Sequence, residues 1–139
     1  IVNEIVKTIK SRSITKIVGI EARGFIFGAA ASVRSNIPFI PIRKPGKLPG
    51  KVIKQSYKLE YGKDIIEIQD GQILKKDNIL LIDDLIATGG TANASCKLIR
   101  KFNSKKITAF FVVNLHNLHG SDKLKANNVK VISLYDTIG

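Results

Sequence analysis

The chain has 139 residues, 44% of them hydrophobic and 24% charged, an ordinary globular balance that excludes a disordered or fibrous protein and suits one domain, 1–139, rather than two. Its 23 Lys and Arg against 11 Asp and Glu give a formal net charge of +12, which points to an anionic partner, either a phosphorylated small molecule or nucleic acid; a compositional bias toward Lys, Ile and Asn is an equal source of the excess. No apolar run approaches the roughly 20 residues of a membrane span, and the one cysteine, Cys96, forms neither an internal disulfide nor a metal-ligand set with His116 and His119, so a reducing, cytoplasmic setting is expected.

Val2, Ile5, Val6 and Ile9 recur at helical spacing and predict an amphipathic helix. The sequence opens at Ile1 already inside this stripe, so a further N-terminal segment is expected to precede it. Lys16 to Ile20 is a short β-branched run that predicts a strand, followed by the loop Glu21-Ala22-Arg23-Gly24 and a helix of small and apolar residues from Phe25 to Val33. Pro38 to Ile42 predicts a second strand, ended by the basic, breaker-rich segment Arg43 to Gly50. Between Ser56 and Ile68 alternating apolar residues on either side of Gly62-Lys63-Asp64 predict a hairpin-like excursion. Asn78 to Ile82 reads as a buried strand, Asp83 to Thr91 as a glycine-bearing turn, and Ala92 to Phe102 as a helix burying Ala92, Cys96, Ile99 and Phe102. Ile107 to Val113 and Val129 to Leu134 complete the strands. This alternation predicts an α/β fold with a mostly parallel sheet flanked by helices, whose ligands sit beyond the carboxyl ends of the strands.

The chemistry concentrates in Ile79 to Thr91. A buried strand delivers Asp83 and Asp84, and the turn that follows presents Ala87, Thr88, Gly89, Gly90 and Thr91 at the start of a helix. Unpaired N–H groups of a first helical turn favour a phosphate monoester, glycines let the backbone approach it, and the threonines add hydroxyl donors. Two ionised carboxylates accept from paired sugar hydroxyls, so ribose 5-phosphate is the natural candidate. The segment lacks the Gly-Lys-Ser/Thr of a Walker loop, and no strand is followed by Gly-x-Gly-x-x-Gly, which removes ATPase and dehydrogenase readings. A helix cap at Asp83 or Asp84 beside a plain glycine turn is the structural alternative.

This segment resembles the 5-phosphoribosyl-1-pyrophosphate (PRPP) binding motif of the type I phosphoribosyltransferases. Val18 to Phe25, Ile42 to Gly50 and Ser56 to Lys63, with Leu115, Leu118, Gly120 and Lys123-Leu124, are similar to the adenine-specific branch of that family, so the resemblance spans essentially the whole chain. It implies the type I phosphoribosyltransferase fold with a flexible hairpin-like lid, and transfer of the 5-phosphoribosyl group from PRPP to adenine, giving AMP and pyrophosphate. It further implies that Ala87 to Thr91 hold the 5′-phosphate and that Asp83 and Asp84 hold the ribose. Arg23, Arg43, Lys44 and Lys47 would hold pyrophosphate, and Leu115 would lie near the base.

The resemblance also gives Glu60 and Tyr61 a catalytic role at the lid. Local sequence alone makes Glu60 an exposed salt-bridge partner among Lys54, Lys58 and Lys63; as a lid residue it would exchange a proton with the purine ring while water is excluded. Mg²⁺ is implied as cofactor, bound through PRPP and water rather than by a protein cage. A homodimer is implied as well, and the family's N-terminal hood over the base would lie before Ile1. Asn114 stands where many relatives carry an acid. The alternatives are a PRPP-binding regulator that uses its basic surface on nucleic acid, which no recognisable motif favours, and a phosphoribosyltransferase for another base.

Overall fold

Strand alternation decides which side chains line the two faces of the central sheet. The computed structural model describes all 139 residues. Five strands, β1 (Lys16–Ile20), β2 (Phe39–Ile42), β5 (Asn78–Ile86), β6 (Lys106–Leu115) and β7 (Lys130–Thr137), form a wholly parallel sheet in the order β2-β1-β5-β6-β7. Two further strands, β3 (Val52–Leu59) and β4 (Gly62–Gln69), pair antiparallel as a separate hairpin. The sheet is buried on both faces, as parallel sheets require.

On one face Ile17, Leu80, Ile82 and Phe110 pack with Ile5 and Ile9 of α1 (Val2–Ser11) and Ala31 of α2 (Gly24–Ser35). On the other, Val18, Ile79, Leu81, Ala109 and Phe111 pack with Ala92, Cys96, Leu98 and Ile99 of α3 (Gly90–Arg100), together with Ile66 and Ile68 of β4. Each fully buried side chain of this kind contributes roughly 1.5–3 kcal/mol. The alternation in β5 therefore welds both helical layers to one strand, and that strand leads directly into the phosphate-type loop.

β1 and α2 fall close to where the sequence places them, β6 and β7 run two and three residues further, to Leu115 and Thr137, and three differences bear on the site. β5 continues through Asp83 and Asp84 to Ile86, because β6 runs beside it: Asp83 pairs with Phe111, Leu85 with Val113 and Ile86 with Asn114. The predicted turn at Gly62-Lys63-Asp64 is strand, and the hairpin reverses at Glu60 and Tyr61, with Leu59 opposite Gly62 and the ladder reaching back to Val52 and Gln69. Phe102 lies just beyond α3 and is only partly buried. A short helix α4 (Gly120–Ala126), too brief to show a period in the sequence, buries Leu124 between α3 and β7.

Between β1 and β5 the chain order of the sheet reverses: β2 lies on one side of β1, and the later strands lie on the other. The crevice at the carboxyl ends of such a pair is where open α/β sheets bind ligands. Asp77 ties down the opposite end, accepting from Thr15 Oγ1 and the Leu74 N–H and pairing with Lys16 at 3.0 Å. Burial pushes its carboxyl up, but these partners outweigh burial and hold it below the usual range.

Candidate active site

Ala87 to Gly89 turn the chain from β5 into α3, and Gly89 adopts φ +83°, a left-handed conformation that a side chain would strain. No side chain caps the helix, and the N–H groups of Thr88, Gly89, Gly90, Thr91 and Ala92 donate to nothing within the chain. They form the set of free donors that a phosphate monoester requires. The loop is held from behind by α4: the Gly120 N–H donates to Ala87 O at 3.1 Å, and a Cβ on Gly120 would stand 2.4 Å from that oxygen and 2.8 Å from Gly89 N. Close backbone approach sets this contact. The sequence signals it only as a glycine at 120.

The loop forms one wall of a cleft of about 440 Å³ with Asp83 at its floor, and the hairpin residues Tyr57, Lys58, Leu59 and Glu60 form the other wall. Tyr57 joins the two walls, since its hydroxyl lies 3.3 Å from Thr91 Oγ1 and 3.2 Å from Asp64. Glu60 and Tyr61 occupy the tip of the hairpin, and Tyr61 is 95% exposed. A smaller hollow of about 120 Å³ adjoins Asp83 and Thr91 and is lined by Glu21, Arg43 and Lys44. The loops after β1, β2 and β5 thus converge on Asp83.

Adjacent residues of a strand project to opposite sides, and the two acids divide accordingly. Asp83 lines both hollows of the cleft, whereas Asp84 lines an apolar recess with Arg23, Ile26, Phe27 and Leu85. Asp83 Oδ1 accepts the N–H of Asp84 at 2.8 Å. Burial, reinforced by the neighbouring Asp84 carboxyl, pushes Asp83 up to about 7 despite that hydrogen bond and the Arg23 charge.

All four cations expected to hold pyrophosphate are paired with carboxylates. Arg23 bonds Asp84 at 2.5 Å, Arg43 bonds Glu21 at 3.1 Å, Lys47 bonds Glu21 at 2.6 Å, and Lys44 pairs with Asp64. Glu21 was read in the sequence only as a loop residue; here it is the acid that organises the basic loop, and it also accepts the Lys44 N–H at 3.1 Å. Burial pushes its carboxyl up, but the hydrogen bonds from Lys47, the Lys44 N–H and Arg43 outweigh burial and bring it down to about 2. Lys44 is raised because Asp64 and Tyr57 outweigh its burial, and Asp64 is lowered chiefly by the bond from Lys44. Arg43 also lies 5.9 Å from the centroid of the Phe25 ring, so the basic loop is braced by an aromatic side chain as well as by charge.

Leu115 does not line the cleft. It ends β6 with its side chain against Gly139. Asn114 is buried, its Nδ2 donates to Ser121 Oγ at 3.3 Å, and its Oδ1 has no partner. Cys96 is fully buried in α3, and burial pushes its thiol up to about 12, leaving it an inert packing residue. No helix is long and apolar enough to cross a membrane.

A protein-family profile described as phosphoribosyl transferase domain matches residues 1–138. The chain is 49% identical over 138 residues to an adenine phosphoribosyltransferase of Actinobacillus succinogenes, covering 99% of this chain and 77% of that relative. It is also similar to the crystal structure of the adenine phosphoribosyltransferase of Thermoanaerobacter pseudethanolicus, with TM-score 0.91, 38% identity, and coverage of 98% of this chain and 78% of that one. The corresponding Saccharomyces cerevisiae enzyme, solved in complex with an imino-altritol bisphosphate and adenine, matches with TM-score 0.85 and 38% identity over 95% of this chain and 73% of that one.

Proposed function

This chain belongs to the phosphoribosyltransferase family, and within it to the adenine phosphoribosyltransferases, and from that membership we propose how its own residues carry the reaction. The enzyme transfers the 5-phosphoribosyl group of PRPP to adenine: a ring nitrogen bonds to C1 of the sugar, the bond from C1 to pyrophosphate breaks, and pyrophosphate leaves with the electron pair. The free N–H groups of residues 88–92 bind the 5′-phosphate with the hydroxyls of Thr88 and Thr91, while Ala87, Gly89 and Gly90 keep the backbone close. Asp83 accepts from the ribose hydroxyls at the cleft floor, and Asp84 holds Arg23 until pyrophosphate takes its place. Arg23, Arg43, Lys44 and Lys47 receive the leaving pyrophosphate by exchanging their carboxylate partners for its oxygens, which places positive charge where negative charge develops.

Glu60 takes the proton released by the adenine ring, and Tyr61 beside it shields the reacting centre when the hairpin closes. Leu115 borders the base only if the base reaches the end of β6. No group of three or more His, Cys, Asp or Glu side chains converges on a metal position. One or two carboxylates with substrate oxygens and water form a donor set that suits Mg²⁺, with Asp83 the carboxylate that would hold it from the protein side. When bound, Mg²⁺ neutralises charge on the pyrophosphate. We also propose that the chain works as a single domain and as a homodimer; Ile26 and Val33, 68% and 84% exposed on α2, leave an apolar face of the kind a second copy covers, and light scattering tests this.

The observation that carries the reading is the uncapped β5–α3 loop facing the hairpin across Asp83. The experiment is pyrophosphate release from PRPP with each nucleobase in turn. Release with adenine and not with hypoxanthine, xanthine or orotate is expected; no release with any base would overturn it.

A further inference from the structure

The hairpin has a second side. Adjoining the substrate cleft, with which it shares Tyr57, Lys58 and Gly90, a groove of about 410 Å³ runs between the hairpin and α3 and α4, and its lining includes Lys58 and Lys63 from the hairpin, Lys97 from α3 and Lys123 from α4. Ser56 and Asn93 add polar groups, and no acid lines it. None of the four groove lysines forms a salt bridge, and what sets them apart from the other unpaired cations of the chain is that they gather around one hollow with no carboxylate in its lining. The nearest acid in sequence to Lys123, Asp122, is bonded to His119 at 3.1 Å.

Four unpaired ammonium groups around one hollow repel one another, and two of them sit on the hairpin while two sit on the body of the protein. The repulsion therefore acts between the hairpin and the body and opposes their closer approach. An anion in the groove reverses its sign. The volume is that of a small-molecule site rather than of a track along a polymer, and four ammonium groups match a phosphate chain of three or more charges.

We propose that this groove is a second anion site beside the substrate cleft, filled by a short polyphosphate such as inorganic triphosphate or the phosphate chain of a nucleoside triphosphate, which holds the hairpin against α3. The effect on turnover rests on the reading of the hairpin as the lid of the substrate cleft; the binding itself does not.

The test titrates inorganic triphosphate, and in parallel ATP, into the full chain already saturated with PRPP, read by calorimetry and by hydrogen exchange of the hairpin amides. One triphosphate is expected to bind per PRPP-filled chain and to slow exchange in β3 and β4. Lys97→Glu with Lys123→Gln, both exposed and outside the catalytic machinery, should weaken triphosphate at least about 10-fold while KM for PRPP and kcat stay within about twofold. Lys97→Arg should retain binding. Whichever of triphosphate and ATP binds tighter names the source. Loss of triphosphate binding once PRPP fills the cleft, or unchanged affinity in the double variant, would overturn the proposal. So would a raised KM for PRPP in that variant, which would assign these lysines to the substrate cleft and leave phosphoribosyl transfer standing. Triphosphate binding without nucleotide formation from any base would instead sink the transfer reading and leave the groove intact.

Discussion

The loop after β5 and the tip of the hairpin face each other across one cleft, yet they are held in opposite ways. The loop is the continuation of a strand buried on both faces, uncapped but braced by the Gly120 contact, so its donors are fixed before any ligand arrives. The hairpin is a two-stranded sheet of its own, joined to the loop through the Tyr57 hydroxyl, and its reactive acid stands at an exposed tip. Two strands alone are marginally stable, so the hairpin draws its position from contacts with the body. In the proposed reaction, binding resides on the loop side and proton transfer on the hairpin, an arrangement that would admit substrates and then exclude water.

The sharpest break of that division is expected at the rigid wall. Asp83→Asn with Asp84→Asn should weaken PRPP about 10- to 150-fold or more, since the charged acceptor lost at Asp83 is worth about 1.5–3 kcal/mol and Arg23 loses its partner; wild-type affinity by calorimetry would end the ribose assignment. On the movable wall, Glu60→Gln should lower kcat about 100-fold with PRPP affinity unchanged. A kcat equal to wild type would leave the hairpin without a chemical role.

Asp83 supplies a pH test of the rigid wall. With its carboxyl at about 7, PRPP affinity should fall by up to about tenfold per pH unit as the pH drops below that value, and Asp83→Asn should flatten the profile. Because the folded value lies above the ordinary 3.8, the stabilisation it gives the unliganded fold is complete below 3.8 and is lost as pH rises through about 7. Asp83→Asn should therefore stabilise the free protein at pH 8 by on the order of 1 kcal/mol while damaging binding. A melting temperature unchanged by the substitution at that pH would argue against a strained carboxylate.

Two smaller changes separate the walls. Gly120→Ala forces a methyl against Ala87 O and should raise KM for PRPP several-fold with a loss of about 1–3 kcal/mol in stability, leaving exchange in the hairpin unaffected. Tyr57→Phe should do the reverse. Losing the hydroxyl that bonds Thr91, Lys44 and Asp64, with the neutral bond to Thr91 alone worth about 1 kcal/mol, should speed hairpin exchange at least about fivefold with little change in PRPP affinity. If the two variants gave the same pattern, the walls would be one cooperative unit.

Most of the sheet was legible because apolar runs such as Lys16 to Ile20 and Asn78 to Ile82 bury both faces and leave few other readings. The end of β5 was not, since Asp83 and Asp84 look like a turn until β6 extends alongside them. The hairpin reversal was misplaced for a related reason: Gly62 carries turn chemistry, but the register from Val52 to Gln69 puts the corner at Glu60 and Tyr61. Glu21 was overlooked because a lone acid in a loop has no local signature. Its three donors come from the segment that follows β2, more than twenty residues away.

The sequence by itself determined the order of strands and helices, the glycine-bearing loop after β5, and the supply of acids and cations for phosphoribosyl chemistry, because periodicity and residue type act locally. The tertiary structure alone decided that Asp83 and Asp84 face different hollows and that every proposed pyrophosphate cation is paired with an acid. It also decided that four other lysines are left unpaired around a groove, since pairing and burial depend on which surfaces meet.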